Sequence, residues 1–182
     1  MRRRAWLVAA LLLIVPVLTH AQEVDRFEMS AGYSYLRLDT RALGLTQYTN
    51  TNGGIFGMGV HLTPWLAVVT DVSANYGRNG GNSFRWFNAL VGPQVAYRRR
   101  RSSFMARGLA GGARGSVSGL QATDTALAWG AGAGYEYRLT PYWVVRPVQV
   151  DYIRSNNFST TQKSLRISAA IVLTFGKNLN GQ

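Results

Sequence analysis

Cysteine is absent from the chain. No disulfide staples the fold, no thiolate serves as nucleophile or metal ligand, and no lipid-bearing cysteine follows the N-terminus. Histidine is nearly as scarce, with only His20 and His61. That supply is too small for a histidine-built metal site, and the sequence offers no recognisable Ser/His/Asp set. Acidic residues are few, 8 Asp+Glu against 20 Lys+Arg, for a formal net charge of +12. Long apolar runs are also missing after the first twenty residues, which leaves no candidate for a helical membrane span of about 20 residues.

The one apolar run is Ala5 to Leu18, preceded by Met1-Arg2-Arg3-Arg4 and followed by Thr19-His20-Ala21-Gln22. A basic start, a short apolar middle and a small-residue end describe a secretory signal peptide over residues 1–21, cut after Ala21. Export places the remaining chain outside the cytoplasm. There a basic balance points to an anionic membrane surface rather than to nucleic acid. About 160 residues remain, a length for one domain.

What is present is alternation. In Ser164 to Phe175, the residues Leu165, Ile167, Ala169, Ile171, Leu173 and Phe175 share one face, and Ser164, Arg166, Ser168, Ala170, Val172 and Thr174 the other. Successive side chains point to opposite sides of a strand, so period two means a β-strand with one apolar face. Seven earlier stretches repeat it: Phe27 to Asp39, Asn52 to Leu62, Leu66 to Tyr76, Arg85 to Tyr97, Phe104 to Gly115, Ala126 to Arg138 and Tyr142 to Ile153. Proline lacks an N–H and breaks a ladder, so bulges are expected at Pro93 and at Pro147. After Pro147 the phase must slip by one to keep Val148, Val150 and Tyr152 on the apolar face. Short turns at Thr63-Pro64-Trp65, Arg98 to Ser103 and Leu139-Thr140-Pro141 alternate with polar loops at 39–51, 77–83, 116–125 and 155–162. The expected fold is all-β, an eight-stranded antiparallel up-and-down transmembrane β-barrel over residues 23–176, with a short tail at 177–182. The short turns and both termini are expected to face the periplasm.

Alternation alone does not say which face is inside. Three features turn the apolar face outward. Aromatics gather toward strand ends, as expected at two lipid interfaces. Phe27, Trp65, Tyr97, Phe104, Tyr137, Trp143 and Phe175 mark the short-turn end, and Tyr35, Tyr76, Phe84, Trp129 and Tyr152 the other. The opposite face is rich in glycine, which suits the narrow lumen of eight strands. It also carries Glu28, Asp71, Arg107, Glu136, Arg146, Asp151 and Arg166, charges that are costly in a dry interior unless they pair with one another. These seven form the expected lumen network, with Glu28 and Glu136 as the expected partners of Arg166.

With the strands placed, Leu90-Val91-Gly92-Pro93-Gln94-Val95, Trp129-Gly130-Ala131-Gly132-Ala133-Gly134-Tyr135, Val148-Gln149-Val150-Asp151-Tyr152 and Leu165-Arg166-Ile167-Ser168-Ala169 resemble the OmpA-like family of eight-stranded outer-membrane barrels, in its barrel-only form. The resemblance spans the chain after the signal and concerns fold more than activity. It implies a place in the cell outer membrane, contact with outer-membrane lipid and with the barrel-assembly machinery, and a monomer. Phe175 would be the assembly signal. Such barrels often stop at that aromatic, whereas Gly176 to Gln182 follow here. The peptidoglycan-binding domain of larger relatives has no counterpart in the sequence.

No catalytic, cofactor or metal role is assigned. His61 reads as an inward polar residue at the periplasmic rim, away from the outer end where lipid A deacylases of similar size keep their His/Ser pair. Arg98 to Arg101 reads as a solvated turn. Gly108 to Gly115 lacks the lysine and following helix of a phosphate loop. The expected function is a non-enzymatic structural or surface-exposed barrel with a plugged polar lumen. The alternatives are a narrow channel for ions or small solutes and a loop-mediated adhesin.

Overall fold

The computed structural model describes residues 25–38, 49–79, 82–118, 122–156 and 161–176. The expected signal, the tail, and the hearts of the four polar loops lie outside the described residues. Eight strands follow in order: β1 (Phe27–Leu38), β2 (Thr49–His61), β3 (Leu66–Asn79), β4 (Asn82–Arg99), β5 (Ser102–Val117), β6 (Ala122–Arg138), β7 (Trp143–Ser155) and β8 (Gln162–Phe175). Each pairs antiparallel with its neighbour, and the sheet closes on itself. The seam runs from Phe27↔Phe175 to Leu38↔Ser164, twelve rungs without a slip. At its end the rings of Phe27 and Phe175 stack at 5.9 Å. Closure leaves no edge strand to pair with another chain.

The pleat decides the faces. Phe56, Met58, Val60, Val68, Val72, Phe87, Val91, Val95, Ile167 and Ile171 stand exposed on the outer wall, while Glu28, Asp71, Arg107, Glu136, Arg146, Asp151 and Arg166 are buried. This inverts the arrangement of a water-soluble barrel, as expected where the outside solvent is hydrocarbon. The lumen is not uniformly polar. An apolar cluster that includes Leu36, Leu38, Trp86, Leu90, Leu109 and Ile153 fills much of the half away from the tight turns. Inward glycine makes room for large neighbours: a Cβ on Gly132 would overlap the Asp151 carboxylate, and one on Gly59 would stand 2.6 Å from Glu28 Cγ.

Several expectations are corrected. The loops are shorter than predicted, because polar residues continue the ladders: β3 and β4 pair out to Asn79↔Asn82, β5 and β6 to Val117↔Ala122, β7 and β8 to Ser155↔Gln162, and β2 resumes at Thr49. Backbone hydrogen bonding does not need apolar side chains, so polarity alone overstates the loops. Pro93 makes no bulge. The β4–β5 register is the same at Val91↔Ala110 and Gln94↔Arg107, and Pro93 stays paired with Val68 on β3. The missing N–H interrupts one ladder without an extra residue. Phe84 does not join the outer aromatic belt. It keeps the inward parity of Trp86 and Asn88 and is buried.

At Pro147 the expected slip is present. Pairing jumps from Tyr135↔Val148 to Tyr137↔Val145 on one side, and from Arg146↔Ala170 to Gln149↔Ser168 on the other. β7 thus spends three steps where its partners spend two. Pro147 and Val148 are both exposed, and Arg146 and Gln149 are both buried.

The tight turns share chemistry. Thr63 and Thr140 each precede a proline, and each Oγ1 accepts a hydrogen bond of 3.0 Å from the backbone N–H three residues on, at Leu66 and Trp143. The third turn is only Arg100 and Arg101, narrower than the predicted link from Arg98 to Ser103. Arg100 has φ of 50°, the left-handed conformation that two-residue hairpins demand.

Candidate functional site in the barrel lumen

The side chains with the most chemistry converge inside the barrel on two levels. At mid-height, β3 brings Asp71, β5 Arg107, β7 Asp151 and β8 Arg166, all buried. Arg166 grips Asp71 with two bonds, 2.7 Å to Oδ1 and 2.9 Å to Oδ2. It also donates to Asp151 Oδ2 at 2.9 and 3.1 Å. Arg107 holds Asp151 at 2.8 Å through Nε and through Nη2, and reaches Asp71 at 2.8 Å. Two guanidinium forks and two carboxylates close a ring in which every charge has two opposite neighbours. Such geometry is what lets buried charges offset their desolvation.

Nearer the tight turns, Arg146 donates to Glu136 Oε1 at 2.9 Å through Nε, and Glu28 lies 3.7 Å from its Nη2. Ser103 donates to the other oxygen of Glu136 at 2.9 Å. Arg98 turns inward, donating to the carbonyl of Pro64 and to His61 Nε2. A guanidinium only donates, so Nε2 accepts and the proton of His61 sits on Nδ1. The four cations Arg98, Arg107, Arg146 and Arg166 thus share the lumen with four carboxylates, Glu28, Asp71, Glu136 and Asp151.

Gln149 joins the levels. Its amide oxygen accepts from Arg146 at 3.1 Å, and its nitrogen donates to Asp151 at 2.9 Å and to Ser168 at 3.2 Å. A minor side branch runs inside the lumen from Arg166 to Ser73 (3.0 Å), then Asn88 (3.2 Å), then the Trp86 indole (3.2 Å). Between the levels lies a void of about 10 Å³, lined in part by Gln94, Arg107, Arg146 and Gln149. Below them a vestibule of about 410 Å³ opens at the tight-turn end, past His61, Arg98 and Arg138.

All seven residues expected in the lumen network face inward, and they divide into two groups. Arg166 is paired with Asp71 and Asp151, not with Glu28 or Glu136. On β1 its rung partner is Leu36, eight residues along from Glu28, whose own rung partner on β8 is Thr174. At about 3.3 Å per residue, that separation is beyond the reach of the side chain. Arg98, Ser103 and Gln149 also belong to the network, although the sequence pattern does not single them out. Their inward parity is the available signal. Arg98 begins a run of four arginines that reads as a solvated turn, yet it shares the inner face with Gln94 and Ala96. His61 stands buried at the rim, as expected. Phe175 ends β8 on the outer wall. Among the described residues no group of His, Cys, Asp and Glu is arranged to hold a metal ion.

Comparison with known proteins supports the same architecture. The family model for the outer membrane protein beta-barrel domain matches residues 7–176. No curated protein matches the chain. Among solved structures, Neisserial surface protein A superposes with a TM-score of 0.69 at 15% identity, covering 82% of this chain and 97% of that one. Ail, the attachment invasion locus protein of Yersinia pestis, superposes at 0.54 and 16% identity, covering 82% and 99%.

Proposed function

The chain belongs to the outer membrane protein beta-barrel domain family, and on that premise we propose that it is a closed, non-enzymatic barrel with a structural and surface-exposed role in the outer membrane. What supports closure is the lumen. A continuous chain of charges and hydrogen bonds runs from Glu28 through Arg146 and Gln149 to Asp151, Arg166 and Asp71, and an apolar layer with Leu36 and Trp86 lies beyond it. An ion would have to separate both guanidinium–carboxylate clusters and then pass the apolar side chains packed beyond them. The charged network holds opposite walls together instead of lining a path. On this reading the chain is exported by residues 1–21, works as a monomer in outer-membrane lipid, and is recognised during assembly through Phe175.

Planar-bilayer recording on purified, refolded protein tests closure. Silent membranes are expected, and stable single-channel steps would sink the plugged-barrel reading in favour of a narrow channel.

A second reading rests on strand length. β4, β5 and β6 have 18, 16 and 17 residues, well beyond the roughly 9–11 that cross a bilayer. They extend as paired sheet past Phe87 and Trp129, and form a rigid platform suited to contacting another surface. Ail, named for attachment, has the same fold. Loss of cell attachment on trimming residues 116–125 or 155–162 would favour this role.

A further inference from the structure

Both threonine-proline turns offer the carbonyl of their proline to an arginine at the barrel mouth. Arg98, near the end of β4, donates to the carbonyl of Pro64. Arg138, at the end of β6, donates to the carbonyl of Pro141 at 2.7 Å. Arg98 is held a second time, by His61 Nε2 at 2.8 Å. A guanidinium carries five N–H donors, so these bonds fix each fork and leave most of its donors unspent. A carbonyl or a neutral imidazole orients a cation without neutralising it, and Arg98 has one of each. Asp25 comes no nearer to Arg138 than 3.7 Å.

Both forks line the vestibule of about 410 Å³ at the tight-turn end, a volume in the roughly 300–1,000 Å³ range of ligand pockets. Its charge is lopsided. Inside the barrel four arginines meet four carboxylates, but among the described residues the mouth adds Arg100, Arg101 and Arg138 against Asp25 alone. The carboxylates of the lining already have cations beside them. Glu136 is taken by Arg146 and Ser103, and Glu28 lies 3.7 Å from Arg146. The surplus cations also gather on one wall. Arg98, Arg100 and Arg101 follow one another through the β4–β5 hairpin, and the backbone N–H of Arg138 donates to the carbonyl of Arg101 at 2.7 Å.

We infer that this vestibule is a pocket for a small soluble solute carrying a phosphate or diphosphate group, held by Arg98 and Arg138 with Arg100 and Arg101 at its rim. Charge excludes an amine or a metal cation as the occupant. The surplus positive charge suits a ligand with more than one negative charge. Guanidinium forks match phosphate oxygens two at a time, and forks from β4 and β6 can each take a different pair of oxygens. A lone carboxylate has a single pair to offer. The pocket is blind, because the Glu136–Arg146 and Asp71–Arg166 clusters stand above it. A solute that enters is therefore retained at the mouth and not passed through.

The test folds the full chain into phosphatidylcholine nanodiscs, which hold no anionic lipid, and titrates it with inorganic pyrophosphate. Isothermal calorimetry reads the affinity, and nitrogen NMR of the arginine Nε–H groups reads the place. Saturable binding of one pyrophosphate per barrel is expected, with the Arg98 and Arg138 signals shifted. Arg98→Gln should weaken it at least about tenfold, the worth of a hydrogen bond to a charged group. Arg99→Gln removes the same charge one residue along, on the outer face, and should bind like the parent. If Arg98→Gln gives no heat-modifiable folded band, Arg100→Gln/Arg101→Gln in the exposed turn carries the test and should weaken binding severalfold. The absence of saturation at millimolar pyrophosphate would overturn the pocket, as would equal losses in Arg98→Gln and Arg99→Gln. Citrate bound as tightly as pyrophosphate would overturn the preference for phosphate. Binding only to phosphatidic acid added to the disc, with no competition from pyrophosphate, would overturn the soluble solute in favour of a lipid. Affinity is read without conductance, so an empty pocket and a conducting lumen are separate failures.

Discussion

Arg166 and Asp71 are 95 residues apart in the chain, yet their side chains meet across the lumen with two hydrogen bonds of 2.7 and 2.9 Å. Arg166 projects from β8 and Asp71 from β3, two strands that share no ladder. The contact therefore ties together walls that backbone pairing does not.

Removing one member of this ring should be costly. Arg166→Met leaves Asp71 and Asp151 to share Arg107 alone. Breaking a buried pair from one side typically costs about 3–5 kcal/mol, and urea unfolding in lipid vesicles should show a loss of that order. Replacing Asp71 by Leu in the same chain should restore part of it. Glu136→Gln should show no such compensation with Arg166→Met, because those two side chains belong to different clusters.

Gln149 offers a milder test. Gln149→Leu keeps the bulk and removes the bonds to Arg146, Asp151 and Ser168. A loss of about 1–3 kcal/mol is expected, since buried groups are left unsatisfied. A double-mutant cycle between Glu136→Gln and Asp71→Asn should then show weaker coupling when Gln149→Leu is also present than in the parent.

At Pro147 the bulge, not the proline ring, sets the faces. Pro147→Ala should fold, with a stability change within about 1 kcal/mol, since the ring offers the ladder no donor to lose. Deleting Pro147 removes the extra step, so the strand must either turn Val144 and Arg146 outward or lose the phase of Gln149 and Asp151. The deletion is expected to yield no heat-modifiable folded band.

The turn at Arg100 tests backbone strain. With φ of 50°, Arg100→Gly should be neutral or slightly stabilising, whereas Arg100→Val should destabilise by about 1–2 kcal/mol, because a branched side chain resists the left-handed region. Equilibrium unfolding of the two variants side by side would show the difference.

Phe175 stacks on Phe27 at the seam. Phe175→Ala removes the ring contact that accompanies closure of β8 onto β1. It should slow the appearance of the folded band in vesicles and more strongly lower the yield of assembled protein in cells. An unchanged cellular yield would remove Phe175 from the role of assembly signal.

The strands, their faces and the bulge at Pro147 are legible in the sequence because the pleat is local. Once Leu165 faces out, Arg166 must face in, whatever the rest of the chain does. The same parity places all seven lumen charges and, applied consistently, places Arg98 and Phe84 too. Their neighbours, a run of arginines and a loop-like stretch, obscure that parity. What parity does not contain is height around a closed barrel. Which inward charges meet depends on the register of eight ladders and on the tilt that closure imposes, quantities summed over the whole sheet. That is why the sequence alone determined an outward apolar wall around a charged interior, while only the tertiary structure decided that Arg166 answers to Asp71 and Asp151 and that Glu28 and Glu136 answer to Arg146.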